Sequence, residues 1–269
     1  MKKGKAFRLD LPLHLPSRSA NAVERRPVKH TFVVSKRTPT ALSDQIDDFD
    51  TQVSTQWDGL KHHHHPEHGY YNGVTRDQVL RTTDDKLGIQ QWANRIIGRG
   101  LLLDVEKYRD DQGRPADHSN PAPITLDDLQ GTVAAQGVEI KQGDILLVRT
   151  GAMKFYLEAN ERAGGTLDLP WVSTGILPGR DIAEWLWDSH VAMFAADNRA
   201  LEQSPWMNEL GPLHYRLIPL LGLPLGELFY LEDLAADSAA DGRYESMVVS
   251  APIVLQGGVA SPPNAIALK

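Results

Sequence analysis

The residues best suited to chemistry lie in one short stretch, TQWDGLKHHHHPEHGYYNG, residues 55–73. Asp58 and His62 stand four apart across a glycine-containing turn. A carboxylate and an imidazole at that spacing suit a hard or borderline divalent ion such as Zn²⁺ or Mn²⁺. Gln52 and Gln56 lie just upstream and alternate with Val53 and Trp57 as on a strand, which would put Gln52, Gln56 and Asp58 on one face. Their amide oxygens are weak metal ligands. Five of the ten histidines fall within seven positions: His62, His63, His64, His65 and His68. Histidine tracts are commonly solvated and take up metal adventitiously. This one is internal, is broken by Pro66 and Glu67, and runs into the turn GYYNG, unlike a terminal purification tag.

Three more residues draw attention through their surroundings. His214, in GPLHYRLI, sits in a helical apolar pattern, where a histidine caps, packs or ligates. Glu227 is an acid inside the apolar run LGLPLGELFYL. A buried carboxylate needs a partner, here either a metal ion or an arginine such as Arg216. Asp197 ends the apolar run VAMFAAD, a place for an active-site acid or for a cap on the next turn.

The elements that must position these residues read as alternating strands and helices. Residues 1–50 are polar and proline-rich, with AFRLDLPL and HTFVV as edge strands and surface loops. LGIQQWANRIIGRG places Ile89, Trp92, Ala93 and Ile96 at helical spacing, with Gly98 or Gly100 as the stop. LLLDV follows as a short buried strand. ITLDDLQGTVAAQG opens on Thr125 as N-cap with Asp128 three residues on, and closes at Gly137. KQGDILLVRTG is a turn and an apolar strand; LPGRDIAEWLWDSH sets Ile182, Trp185 and Leu186 on one helical face. GPLHYRLIPLLGLPLGELFYLEDL predicts a helix, a turn at Gly222 and an extended segment. MVVSAPIVLQGG predicts two strand-like runs split by Pro252, and the tail ASPPNAIALK a last strand. The sum is an α/β or α+β chain, with one domain over 1–269 expected and residues 1–50 packing on it as an extended segment.

Composition narrows the function classes. Hydrophobic residues make up 41% and charged residues 23% of the 269, an ordinary globular balance. There is no cysteine, so thiol nucleophiles, disulfides and cysteine-bound zinc are excluded. The net charge is −7 and the basic residues are scattered, which disfavours a nucleic-acid groove. No apolar run approaches membrane-spanning length, and the start MKKGKAFRLDLPLHLP lacks a signal peptide's apolar stretch, so a cytoplasmic protein is expected.

The sequence resembles the metal-dependent cyclase hydrolases, the group of bacterial kynurenine formamidase, isatin hydrolase and trans-dienelactone hydrolase. The collinear pieces are TQWDGLKH, GIQQWANRIIGRGLLLDV, GDILLVRTG, AEWLWDSHVAMFAAD, LHYRLIPLLGLPLGELFYLEDLA and ASPPNAIAL. The family hallmark is His-x-Gly-Thr-His-x-Asp-x-Pro-x-His. Laid on this chain, both leading histidines become glutamines (Gln52, Gln56), Gly becomes Ser54, and Pro becomes Leu60, while Thr55, Asp58 and His62 match. A branch with Thr-Gln-x-Asp-Gly looks similar. The resemblance implies a compact swivelling β/β/α domain with a mixed sheet and flanking helices, assembled as a homodimer or homotetramer. It implies two ligand sets: Gln52, Gln56 and Asp58, which is weak, and Asp58, His62, His214 and Glu227, which is complete. Glu232 is the alternative to Glu227, because the His214–Glu227 gap is one residue longer than in the formamidases.

The expectation is a metal-dependent hydrolase that opens or cleaves a small amide, cyclic imide or lactone through a metal-activated water, with Zn²⁺ or Mn²⁺ as cofactor. His65 is the expected proton carrier beside Asp58, since the turn after His62 can return it to the cavity. His63, His64 and His68 read as rim or surface residues. Trp57, Tyr70 and Tyr71 are expected to stack on a planar substrate, in this subunit's pocket or a neighbour's. The alternatives are a non-catalytic metal-binding homologue, suggested by the two glutamines, and a lyase or dehydratase using the same ion as Lewis acid.

Overall fold

In this computed structural model the described chain, residues 3–17, 25–81, 86–170, 172–205 and 211–269, forms a nine-stranded mixed sheet flanked by helices and a separate two-stranded sheet. The strands are β1 (Ala6–Arg8), β2 (Lys29–Val34), β3 (Leu42–Asp47), β4 (Gln56–Asp58), β5 (Ile96–Asp104), β6 (Ile145–Arg149), β7 (Met193–Ala196), β8 (Leu225–Glu227), β9 (Glu245–Ser250), β10 (Ala260–Ser261) and β11 (Ala265–Leu268). The helices are α1 (Arg76–Val79), α2 (Val105–Asp111), α3 (Leu126–Gln136), α4 (Ala152–Arg162), α5 (Arg180–Asp188), α6 (His214–Leu217) and α7 (Glu232–Asp241). The order across the large sheet is β1-β11-β9-β5-β6-β7-β8-β4-β10.

The centre of that sheet is parallel. β5, β6, β7 and β8 run side by side in one direction, and β4 then pairs antiparallel with β8. A parallel strand covered on both faces must be apolar throughout. Leu101–Leu103, Ile145–Val148 and Phe194–Ala196 meet that demand and are buried. One face packs α3 and α5 through Leu129, Ile182 and Leu186, and the other packs Trp57, Phe229 and Val248. Each fully buried large side chain contributes roughly 1.5–3 kcal/mol of transfer free energy, so the two layers together hold the strand ends in place.

The expected capping box is present. The Thr125 side chain accepts from the Asp128 N–H, the Asp128 carboxylate accepts from the Thr125 N–H, and Gly137 closes α3 in the left-handed conformation. Around Gly98 and Gly100 the structure corrects the sequence reading. The helix expected over LGIQQWANRIIGRG is a single 3-10 turn at Ile89–Trp92, and β5 begins at Ile96 and runs through both glycines. Those glycines stop nothing. A Cβ on Gly100 would collide with Val248 of the adjacent strand, so glycine there permits close strand approach.

Two further expectations change. After β9 the run beyond Pro252 is not a strand; Leu255 N–H bonds back to Ile253 in a turn, and Val254 is exposed. The tail does supply β11, which pairs with both β9 and β1. The N-terminal segment, of which residues 1–2 and 18–24 lie outside the described residues, gives β1, buries Phe7, Leu9 and Leu11, and leaves β2–β3 as an outlying hairpin. Among the described residues no helix is long and apolar enough to cross a membrane.

Candidate metal centre

The centre lies at the seam where the parallel strands give way to antiparallel β4. Gln56 of β4 stands directly opposite Glu227 of β8, and Asp58 opposite Leu225. Side chains alternate along a strand, so Gln56, Asp58 and Glu227 share one face while Trp57 points through the other. Gly226 makes this fit: a Cβ there would lie 2.7 Å from the Trp57 ring and 2.7 Å from the Phe229 ring. Immediately after Glu227, Leu228 takes a positive φ of 57°. The Thr55 hydroxyl donates to the Leu228 carbonyl at 2.6 Å and accepts from the Leu11 N–H at 2.8 Å, tying that bend to β4 and to the N-terminal segment.

His214 enters from α6, whose Leu213 and Leu217 are anchored in the apolar layer. Its Nε2 lies 3.3 Å from Glu227 Oε1 and 3.8 Å from Asp58 Oδ2. His62 Nε2 lies 3.8 Å from the same Asp58 Oδ2. Asp58, His214 and Glu227 are all buried, and one ligand atom from each falls within 4.8 Å of the others. Ligands on bonds of about 2.0–2.2 Å around a tetrahedral ion stand roughly 3.3–3.6 Å apart, so this spacing fits a divalent ion with little adjustment.

The electrostatics point the same way. Burial alone would raise the Asp58 carboxyl, but the neighbouring His62 and His214 more than offset it and hold it well below the carboxylate range. Burial would lower His214, yet Glu202, Asp58 and Glu227 outweigh it and lift the imidazole well above its ordinary value. Three carboxylates around one ring demand a positive charge there, either a second proton or a metal ion in its place. The donor set, two carboxylates and imidazole nitrogen, suits Zn²⁺ or Mn²⁺.

The two oxygens of Asp58 share one donor, Gln56 Nε2 lying 3.4 Å from Oδ1 and 3.5 Å from Oδ2, and otherwise differ. Oδ1 accepts from Gln52 Nε2 at 2.5 Å and from Gln56 Nε2 at 3.4 Å, while Oδ2 faces the two imidazoles. Gln52 reaches Asp58 from a turn that precedes β4, not from the strand itself as its spacing implied. Both glutamines present their amide nitrogens to the carboxylate, which is the geometry of a hydrogen-bonding clamp. Gln56 Oε1 is buried without a hydrogen-bond partner.

Several sequence-predicted residues are placed elsewhere. His65 turns away: its Nδ1 accepts from the Glu67 and His68 N–H groups, its ring stacks on His68, and it borders a surface groove with Arg180 and Trp187. Trp57 is fully buried against Phe229 and donates to Ser250 Oγ at 3.0 Å, so it is a core residue beneath the site. Tyr70 lies against His64, with ring centroids 5.2 Å apart, and Tyr71 packs on Gly222 at the turn before β8. Glu232 forms a two-point ion pair with Arg149, which leaves Glu227 as the ligand candidate of the two. Asp197 accepts from the Thr150 and Gly151 N–H groups and fixes the turn that leads into α4; burial pushes its carboxyl up to about 6.

Two residues join the centre unannounced. His63, read from sequence as rim, sets its ring 4.5 Å from that of His62 and 5.0 Å from that of His214. Burial, then the charges of His214 and His62, press its pKa down to about 3. Glu202 accepts from His214 Nδ1 at 2.8 Å. A carboxylate only accepts, so Nδ1 carries the proton and Nε2 is turned toward Asp58 and Glu227. Ala200 and Leu201 both take positive φ to deliver Glu202, and Asn198 Nδ2 holds the Leu201 and Glu202 carbonyls. Glu202→Gln keeps the shape and removes the charge. It is expected to weaken metal affinity about 10–100-fold in a chelator-competition titration; affinity unchanged from the parent would show that Glu202 does not support His214.

The chain and its fold match known proteins. Residues 10–203 match the family described as "Putative cyclase". A solved structure described as a novel cyclase is 32% identical, with 99% of this chain and 87% of that one covered and a TM-score of 0.81. Isatin hydrolase A from Labrenzia aggregata, solved with benzyl benzoate, shares the fold at 15% identity, covering 98% of this chain and 93% of that one, TM-score 0.67. A "predicted metal-dependent hydrolase from Bacillus stearothermophilus" shares it at 19% identity, covering 98% of each chain, TM-score 0.61. No curated protein matches. The chain belongs to the cyclase family.

Proposed function

We propose that this protein is a metal-dependent hydrolase that opens or cleaves a small cyclic amide, imide or lactone. The observation that carries the reading is the convergence of Asp58, His214 and Glu227, with His62 beside them, on one buried point. A divalent ion bound there supplies Lewis acidity, lowering the pKa of a water and polarising a carbonyl. Asp58, His214 and Glu227 are its holders. Glu202 fixes the His214 tautomer, and Gln52 fixes the Asp58 carboxylate. His62 and His63 are half-buried beside these holders. The unpartnered Gln56 Oε1 suits an N–H donor, which favours a cyclic amide or imide over a lactone. Isatin is itself a cyclic amide, and the fold shared with an isatin hydrolase supports that class.

A homo-oligomer, dimer or tetramer, belongs to the same proposal. A lone two-stranded sheet is marginal in water, and β2–β3 exposes Phe32, Val34 and Leu42. Sedimentation of the purified protein reads this out.

The deciding experiment measures metal per chain and turnover of a panel of cyclic amides, imides and lactones. About one divalent ion per chain is expected, with a product heavier by one water. Chelator is expected to stop turnover and added Zn²⁺ or Mn²⁺ to restore it. A metal-free protein inert on the whole panel would end the reading, and a product without added water would move it to a lyase.

A further inference from the structure

His63 follows His62 directly, and adjacent residues ordinarily point apart. Here the chain turns at Gly59–His62, where the His62 N–H bonds to the Gly59 carbonyl at 2.9 Å. Both rings then lean on His214: the centroid separations are 4.5 Å for His62–His63, 5.0 Å for His63–His214 and 5.8 Å for His62–His214. Tyr215 backs His63 from the far side at 5.6 Å. One ring nitrogen from each of His62, His63 and His214 lies within 4.8 Å of the others, just as one ligand atom from each of Asp58, His214 and Glu227 does.

The two triads have His214 in common, and that residue has one nitrogen to give. Its Nδ1 is committed to Glu202 at 2.8 Å, so Nε2 serves both triads. One lone pair holds one ion. The triads are therefore overlapping donor sets around a single position, with two carboxylates on one side and imidazoles on the other. Oxygen-rich sets suit Mn²⁺ and Mg²⁺, whereas each added imidazole moves the preference toward Zn²⁺.

We infer that His63 is a nitrogen donor to the ion held by Asp58, His214 and Glu227, and that it biases this centre toward Zn²⁺ over Mn²⁺. The inference rests on the metal centre of the proposed function, and adds to it an unassigned ligand and a metal preference.

The test uses the full-length protein, stripped with chelator and titrated with ZnCl₂ and MnCl₂ separately and in competition. The variants are His63→Phe, which keeps a ring against Tyr215, and His63→Gln, which keeps a polar group should the first fold poorly. Both are expected to bind one ion per chain, to hold Mn²⁺ within about threefold of the parent, and to lose about tenfold or more in Zn²⁺ affinity. X-ray absorption of the zinc-loaded protein is expected to lose one imidazole in the variants. An unchanged Zn²⁺-to-Mn²⁺ ratio, or an equal loss for both metals, overturns the inference. Asp58→Ala separates the levels. If it abolishes binding of both ions while the His63 variants leave the ratio unchanged, the centre stands and only His63's part falls. If the parent binds neither ion, both readings fall together.

Discussion

Asp58→Ala is expected to strip the protein of its divalent ion and to reduce hydrolysis by about a thousandfold or more, the loss that follows when several kcal/mol of charge stabilisation leave a transition state. Asp58 meets groups from three directions. Oδ2 faces His62 and His214, and Oδ1 takes the amides of Gln52 and Gln56. Truncation removes a ligand and orphans two amide donors, each at about 1–3 kcal/mol where it stays dry. The metal content of the variant, its turnover and its melting temperature read the three effects separately. A variant that still carries one ion per chain with parental affinity would remove Asp58 from the centre.

Arg149→Met is expected to destabilise the fold by about 3–5 kcal/mol, the largest effect on stability of any single change considered. Arg149 ends β6 and is nearly buried. Its Nη1 donates to Asp104 at 2.8 Å, its Nε and Nη2 grip Glu232 at 2.9 and 2.8 Å, and Glu106 lies 2.6 Å away. Methionine fills much of the volume but leaves three carboxylates facing one another without the cation. The pH dependence gives a second check. Burial would raise the Glu106 carboxyl, but His118 and Arg149 outweigh it and hold the group below its ordinary value. Such a group adds stability that is present at neutral pH and lost as pH falls through the acid range. The variant has already lost Arg149's share of that contribution, so its deficit is expected to narrow on acidification from pH 7 toward about pH 4. Urea unfolding at the two pH values measures it; a deficit that widens in acid would contradict the account.

The parts of the fold legible in the sequence are those where a local pattern and its burial agree. LLL, ILLV and MFAA are continuous apolar runs because both faces of the parallel centre are covered. Thr125, Asp128 and Gly137 carry their own termini. Of the four ligand candidates named from the sequence, Asp58, His214 and Glu227 place ligand atoms within 4.8 Å of one another, and His62 lies 3.8 Å from Asp58. What failed needed knowledge of neighbours. Trp57 and Asp58 are adjacent in sequence but on opposite faces of β4, and only the packing of Phe229 shows which face is core. His63 and His65 differ by one turn of irregular chain, with no periodicity to sort them. Glu202 stands in NRALEQS, a polar stretch with no apolar signal that it is buried. Gly98 and Gly100 read as helix stops because close strand approach leaves the same mark in a sequence as a cap does.

The pairing of β4 with β8 has a temporal consequence. Asp58 and His62 leave the ribosome early, whereas His214 and Glu227 emerge only when most of the chain has been made. At about 5–20 residues per second, the histidine run spends roughly 10–30 seconds with no carboxylate partner from β8. Until β8 docks beside β4, a cation meets only Asp58 and loose imidazoles, without His214 or Glu227. On the proposed metal reading, the seam orders biosynthesis: the donor set that would hold an ion is complete only once β8 has been made, late in translation.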